Sequence, residues 1–323
     1  MQVDLPNHVS KLPNMLILGA AKSGTSSLYT YLAQHPDVFM PRFKEPHFFV
    51  WEGRKYDIQG PGVERVGSEM ITDLDSYLKL FAQSAHERIR GEASTGYLHT
   101  LGVAERIHRH IPEASLIAIL RNPIDRAYSA FLHAQRAGLE PIADFEKALR
   151  AEPNRVRSRW IGLTLYTTVG MYAAQLRRYL AVFPSEQIRV YLFDDFMRQP
   201  IDLVQDAFHY LGVDDRFQPD ISTRANRGSA VRSVRLRTLA RLVRDSSLGR
   251  RLPSGPARAV LRTINERPTR PLPPALRREL VGVFENDAKD LSSLIGRDVT
   301  PWFESGVVPP APSGTELGSH PRD

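Results

Sequence analysis

Alternating strand-like and helix-like segments predict an α/β protein, a single domain in which one parallel sheet is flanked by helices on both faces. Three observations carry the prediction. Met15-Leu-Ile-Leu18 is an apolar run that passes into a glycine-punctuated turn and then a helix start. Ser115-Leu-Ile-Ala-Ile-Leu120 is a second apolar run of strand length, followed at once by a helix signal at Asn122-Pro123. Helical segments, not hairpin turns, separate the strand candidates, and that is the order of βαβ units.

In chain order, residues 15–18 are expected as the first strand. The helix behind it puts Leu28, Tyr31 and Leu32 on one face and stops at His35-Pro36, because proline cannot continue a helix. Residues 38–40 read as a short strand. Ser115–Leu120 reads as a strand and Pro123–Ala137 as a helix, with Asn122 able to cap, Pro123 at the first helical position and Asp125 in the first turn. Residues 172–183 read as a helix, 188–193 as a strand, and 200–211 as a helix opened by Pro200. There is no internal repeat.

With 323 residues and 42% hydrophobic content, the chain can bury one full core. The domain is expected over 14–305, with a segment 1–13 before it and a Pro-, Gly- and Ser-rich tail at 306–323 expected to be disordered. No cysteine is present, which excludes disulfides, thiolate nucleophiles and cysteine zinc sites and fits a reducing, cytoplasmic setting. The N-terminus lacks the charged and apolar regions of a signal peptide, and no apolar run approaches the ~20 residues of a membrane span, so no anchor is expected.

Charge is unevenly spread. The chain carries a formal +7, while Arg224 to Arg278 holds fifteen arginines, no lysine and only Asp245 and Glu266 as acids. Within it Leu236, Leu239, Ala240 and Val243 have helical spacing, with Arg235, Arg237, Arg241 and Arg244 around them. Two readings stay open: a helix packed on the domain with a solvated basic rim, or a face that touches a membrane surface or an anionic substrate.

The turn after the first strand, Gly19-Ala-Ala-Lys22-Ser-Gly24-Thr-Ser-Ser, has the build of a phosphate cradle, a P-loop-type strand, turn and helix start whose backbone N–H groups point at an anion. The nucleoside-triphosphate version, G-x-x-x-x-G-K-[ST], places lysine after the second glycine and a hydroxyl behind it for Mg²⁺. Here Thr25 and Ser26 follow Gly24, and the lysine stands earlier, at Lys22. The second strand would end in an acid in a P-loop NTPase, but here it ends in Arg121, with Ser129 on the following helix. The ligand is therefore expected to carry two separated anionic groups and to need no metal. The blander readings are a solvated surface lysine for Lys22, an ion pair with Asp125 for Arg121, and a merely exposed or back-bonded helical serine for Ser129.

Lys22-Ser-Gly-Thr-Ser-Ser-Leu28 together with Arg121-Asn-Pro-Ile-Asp-Arg-Ala-Tyr-Ser129 resembles the signature pair of sulfotransferases that use 3′-phosphoadenosine 5′-phosphosulfate (PAPS). A third segment, Phe39-Met-Pro-Arg-Phe-Lys-Glu-Pro-His-Phe-Phe49, resembles the part that carries the catalytic carboxylate in Golgi carbohydrate and heparan sulfate sulfotransferases and their bacterial relatives. The resemblance runs from about Asn14 to Trp302. It implies that Lys22, Ser23, Gly24, Thr25 and Ser26 hold the 5′-phosphosulfate, that Arg121 and Ser129 hold the 3′-phosphate, and that Arg227 and Gly228 close over that phosphate. It implies Glu45 as the base, with His47 as the fallback; the plainer reading of Glu45 is an ordinary loop carboxylate before a proline, whereas an apolar setting would raise its pKa toward useful basicity. Phe43, Phe48 and Phe49 fit equally well as plain core. In one respect the chain departs from the family pattern, which has a lysine after a later glutamate: Glu92 is followed by Ala93.

The implied reaction is metal-independent sulfuryl transfer from PAPS, with 3′,5′-adenosine bisphosphate (PAP) as product. The acceptor would be a hydroxyl, or less favourably an amine, of a sugar, glycolipid or small molecule. The basic segment 224–278 would suit peripheral contact with the inner face of a membrane. Two other classes remain: a P-loop small-molecule or nucleotide kinase, which would want Lys after Gly24 and an acid in place of Arg121, and a basic nucleic-acid-binding protein, which would explain the pI of 9.7 but not the loop. No nucleic-acid partner is therefore expected.

Overall fold

The computed structural model describes residues 12–68, 70–222, 230–231, 266–267 and 271–304. Five strands, β1 (Met15–Gly19), β2 (Val38–Phe39), β3 (Ile89–Ala93), β4 (Ser115–Leu120) and β5 (Ile188–Leu192), form one sheet in the order β2-β3-β1-β4-β5. Every neighbouring pair in it is parallel. A short antiparallel pair, Ala230–Val231 with Glu266–Arg267, stands apart from it.

The strands bury both faces because their side chains alternate. Leu16 and Leu18 of β1 and Leu116, Ala118 and Leu120 of β4 join a core with Phe48, Phe49, Tyr97 and Leu176. Met15, Ile17, Ile117 and Ile119 face the other way, against Leu28, Tyr31, Val204 and Phe208. Two apolar stripes on each strand therefore need two helical layers. A third cluster joins the helix Pro123–Ala137 to the C-terminal helix Pro274–Ile295 through Phe131, Tyr166 and Phe284.

Ser115–Leu120 and Pro123–Ala137 form with the bounds read from sequence, and the Asn122 side chain accepts from the amides of Ile124 and Asp125 as a cap. Elsewhere the ends shift by a few residues. Phe193 opens the helix Phe193–Arg198 instead of ending β5, and the helix after Met171 stops at Leu180. Among the described residues no helix is long and apolar enough to cross a membrane. Most of the arginine-rich stretch, including its amphipathic segment and both Arg227 and Gly228, lies outside the described residues.

Candidate active site

From β1 the chain leaves toward β2 and β3, whereas β4 connects onward to β5 on the opposite side. Adjacent strands with diverging connections leave a crevice at their carboxyl ends. Into it project the turn after β1 and the residue after β4, so Lys22 and Arg121 meet although 99 positions separate them: the Arg121 guanidinium donates to the Lys22 carbonyl at 3.3 Å. A cleft of about 2320 Å³ opens there, lined by Lys22, Gly24, Thr25, Ser26, Glu45, His47, Arg121 and Ser129.

The loop is shaped by backbone geometry that few residues adopt. Lys22 has φ 72° and Gly24 φ 94°, both in the left-handed region where a side chain crowds the backbone. A Cβ at Gly24 would also sit 3.1 Å from Phe196 and 3.2 Å from Phe193. Beyond Gly24 the helix Thr25–Leu32 starts without a side-chain cap. The amides of Ser27 and Leu28 donate to the Gly24 carbonyl, while among the described residues no group accepts from the amides of Gly24, Thr25 and Ser26. Three free N–H donors at a helix N-terminus form an anion cradle. Ser23 is not brought to the cleft: its side chain is fully buried and its amide donates to the Ala20 carbonyl at 3.2 Å.

Cations converge on this cradle. Lys22 Nζ lies 3.3 Å from His133 Nδ1, and its pKa is lowered to about 8 by burial first and then by Arg136, Arg121 and Lys44. Arg121 is held over the Phe193 ring at 4.7 Å, and burial lowers its pKa too. The ion pair with Asp125 does not form, since Asp125 is bonded to Arg277. Among the described residues no carboxylate pairs with either Lys22 or Arg121. Clustered, half-desolvated positive charge without a counter-ion is costly unless an anion arrives.

Glu45 and His47 face the same cleft from the segment after β2. Both have positive φ, 63° and 52°, a strain of the kind that surrounding structure must hold in place. The Glu45 amide donates to the Ala93 carbonyl at 3.0 Å and the His47 amide to Ser94 Oγ at 3.0 Å. Glu45 accepts from Lys44 Nζ at 2.7 Å, the Thr95 amide at 2.7 Å and Thr95 Oγ1 at 3.0 Å, and His47 Nε2 lies 3.3 Å away.

The expected rise in the Glu45 pKa is not found. Burial does push it up, but Lys44, His47 and the Thr95 amide together outweigh burial and hold it below the ordinary value. Glu45 is thus a carboxylate over the whole neutral range, and burial keeps His47 neutral. Of the three flanking phenylalanines, Phe48 and Phe49 are core, while Phe43 is exposed. Ala93, where the family pattern has lysine, is fully buried.

Three site residues escaped sequence reading. His133 stands one helical turn beyond Ser129, and that spacing would have found it. Thr95 and His99 follow β3, whose strand was not recognised, and no local signal marks them. His99 lines the cleft beside His47, and burial holds its pKa down at about 4.

Comparison with known proteins adds an independent line. A model described as the sulfotransferase family matches residues 13–219. The bifunctional heparan sulfate N-deacetylase/N-sulfotransferase 1 of Mus musculus is 28% identical over 213 residues, which is 63% of this chain and 22% of that protein. The Homo sapiens bifunctional heparan sulfate N-deacetylase/N-sulfotransferase 3 is 29% identical over 214 residues, again 63% of this chain and 22% of the relative. The chain therefore spans less than a quarter of these relatives. A sulfotransferase from Alicyclobacillus acidocaldarius, known from its crystal structure, is 37% identical with a TM-score of 0.72, covering 90% of this chain and 98% of that one.

Proposed function

The chain belongs to the sulfotransferase family, and from that membership we propose that it moves a sulfuryl group from PAPS to a hydroxyl or amine of a carbohydrate-bearing acceptor. One observation supports this most: the cradle of Gly24, Thr25 and Ser26 amides is flanked by Lys22 and Arg121, neither of which forms a direct ion pair among the described residues, although Asp125 and Asp194 lie near enough to act on Arg121. Two cations on separate strand ends suit a ligand with two separated anionic groups. The loop would hold the 5′-phosphosulfate, and Arg121 with Ser129 the 3′-phosphate.

The chemistry follows from charge. The acceptor oxygen or nitrogen forms a bond to sulfur as the bond from sulfur to the bridging phosphate oxygen breaks, and the acceptor proton leaves to Glu45. Negative charge grows on the bridging oxygen, where Lys22 offsets it, as positioned cations do in phosphoryl transfer. An ionised Glu45 accepts the proton without first losing one, with neutral His47 the alternative acceptor. The heparan sulfate N-sulfotransferases among the relatives favour a sugar acceptor.

Transfer of labelled sulfuryl from PAPS, with and without a chelator, tests the reading. Chelator-resistant turnover that falls about 10²–10⁴-fold in Glu45→Gln, with PAP affinity unchanged, is the expected result. ATP–Mg²⁺-dependent phosphorylation in its place would establish a kinase.

A further inference from the structure

The acceptor side of the cleft has a composition that a polar sugar alone does not explain. From Glu45 and His47 the cleft runs past His99, whose Nε2 would lie 2.3 Å from a Cβ at Gly162, so only glycine lets the chain pass there. Beyond Gly162 the lining includes the apolar residues Ile58, Leu101, Val156, Trp160, Ile161 and Leu163, together with the Asp57–Arg159 ion pair. Six large apolar side chains are strongly exposed among the described residues, and Leu101 and Val156, at 71% and 47%, are two of them in this one wall. Met197 is a third that lines the cleft, nearer Phe193 and Phe196. Solvent-facing apolar side chains gathered in a groove mark a ligand with apolar surface of its own.

This wall is built, not collapsed. Gln59 and Trp160 form a parallel bridge, and the Gln59 amide donates to the Arg159 carbonyl at 2.9 Å. Gly60, at φ 109°, lies against the Trp160 ring, where a Cβ would be 3.0 Å away. The Arg155 guanidinium sits 4.8 Å from the centre of the same ring and is itself fixed by two bonds to the buried Glu140 carboxylate, at 2.6 and 2.8 Å. Trp160 is thereby held from both sides.

Resting on the sulfotransferase reading, we propose that the acceptor is an amphiphile: a hydroxyl or amine head reaches Glu45 and His47, and an alkyl or isoprenoid-like body lies along the wall from Gly162 to Leu101 and Val156. Arg54 and Lys55 also line the cleft, so a polyanionic sugar chain is the competing occupant.

The test is a chain-length series. Methyl, hexyl, octyl and decyl glucoside, each below its micelle-forming concentration, are titrated into the protein with and without saturating PAP, and tryptophan fluorescence reports binding. Affinity should rise about two- to fourfold per added methylene from hexyl to decyl, since full burial of each is worth about fourfold. Leu101→Asp and Val156→Asp, both at exposed positions, should abolish that dependence while calorimetric PAP affinity stays unchanged. Equal dissociation constants across the series, or a chain-length effect untouched by both variants, would overturn the proposal. So would tight, steeply salt-dependent binding of an unsulfated heparosan oligosaccharide without any chain-length effect. Absence of PAP binding would sink the sulfotransferase reading instead, and the series on the free protein would still decide the nature of the wall.

Discussion

Lys22 Nζ and His133 Nδ1 lie 3.3 Å apart across the cleft loop, and burial first, then the neighbouring cations, lowers the lysine pKa to about 8. Lys22 must be charged to offset the leaving oxygen, so kcat/KM, which reports the free enzyme, should fall as pH rises above about 8. Glu45 is held below its ordinary pKa, so no acid limb from a raised carboxylate should appear between about pH 5 and 7. In Lys22→Arg the alkaline limb should vanish, because arginine stays charged. A pH profile of initial rates checks both limbs, and an unchanged alkaline limb in the variant would detach it from Lys22.

The two cations, Lys22 in the loop after β1 and Arg121 after β4, should separate in their effects. Lys22→Ala removes a charge needed mainly in the transition state, so turnover should drop about 10²–10³-fold with PAP affinity little changed. Arg121→Ala removes a ground-state contact, and PAP affinity should weaken by about tenfold or more. Steady-state kinetics beside PAP titrations distinguish them, and full activity in either variant contradicts the site assignment.

Gly24→Ala adds one methyl group where φ is 94° and the rings of Phe193 and Phe196 leave 3.1 to 3.2 Å. The loop can accommodate it only by moving, which disperses the three amides at the helix start. PAP binding should be lost while the thermal midpoint falls by only a few degrees. A variant that bound PAP normally would show that the loop conformation does not matter for the ligand.

Much of this arrangement was legible in the sequence, and the reason differs from element to element. The bounds of β4 and its helix are legible to the residue because Asn122 caps and Pro123 starts the helix; the structure adds Gly138 as its C-cap. β3 was not read, since Arg90, Gly91 and Glu92 interrupt its apolar pattern. Each interruption has a tertiary cause: Arg90 Nε donates to the Leu12 carbonyl at 3.1 Å, a Cβ at Gly91 would come within 2.3 Å of Met15 Cε and 2.6 Å of Met40 Sδ, and buried Glu92 accepts from the hydroxyls of Tyr77, Tyr97 and Ser94. Lys22 and Arg121 were visible because motif spacing carries backbone geometry. Of the groups that reverse the expected shift at Glu45, Lys44 and His47 are its sequence neighbours, while the Thr95 contact exists only once the end of β3 lies beside that segment.

Glu92 itself gives a stability prediction. Burial raises its pKa from 4.5 to about 7 against the hydrogen bonds it accepts. Across that window the folded protein keeps a proton that the unfolded chain has released, so stability falls as pH rises from 4.5 to about 7 and then levels off. Glu92→Gln, neutral at every pH, should lose this dependence and so gain on the parent between pH 5 and pH 8. Thermal melts of both proteins at pH 5 and pH 8 measure it, and parallel pH dependence would show that Glu92 is ionised throughout.

The most direct measurement is calorimetric titration with PAP in the presence of a chelator, with ATP–Mg²⁺ as the parallel titrant. Micromolar PAP binding, weakened in Arg121→Ala, is the result that a cradle of Gly24, Thr25 and Ser26 amides flanked by Lys22 and Arg121 predicts. Binding of ATP–Mg²⁺ alone, with none of the bisphosphate, would contradict the account, because a loop whose lysine precedes Gly24 would then be serving a metal-bridged triphosphate.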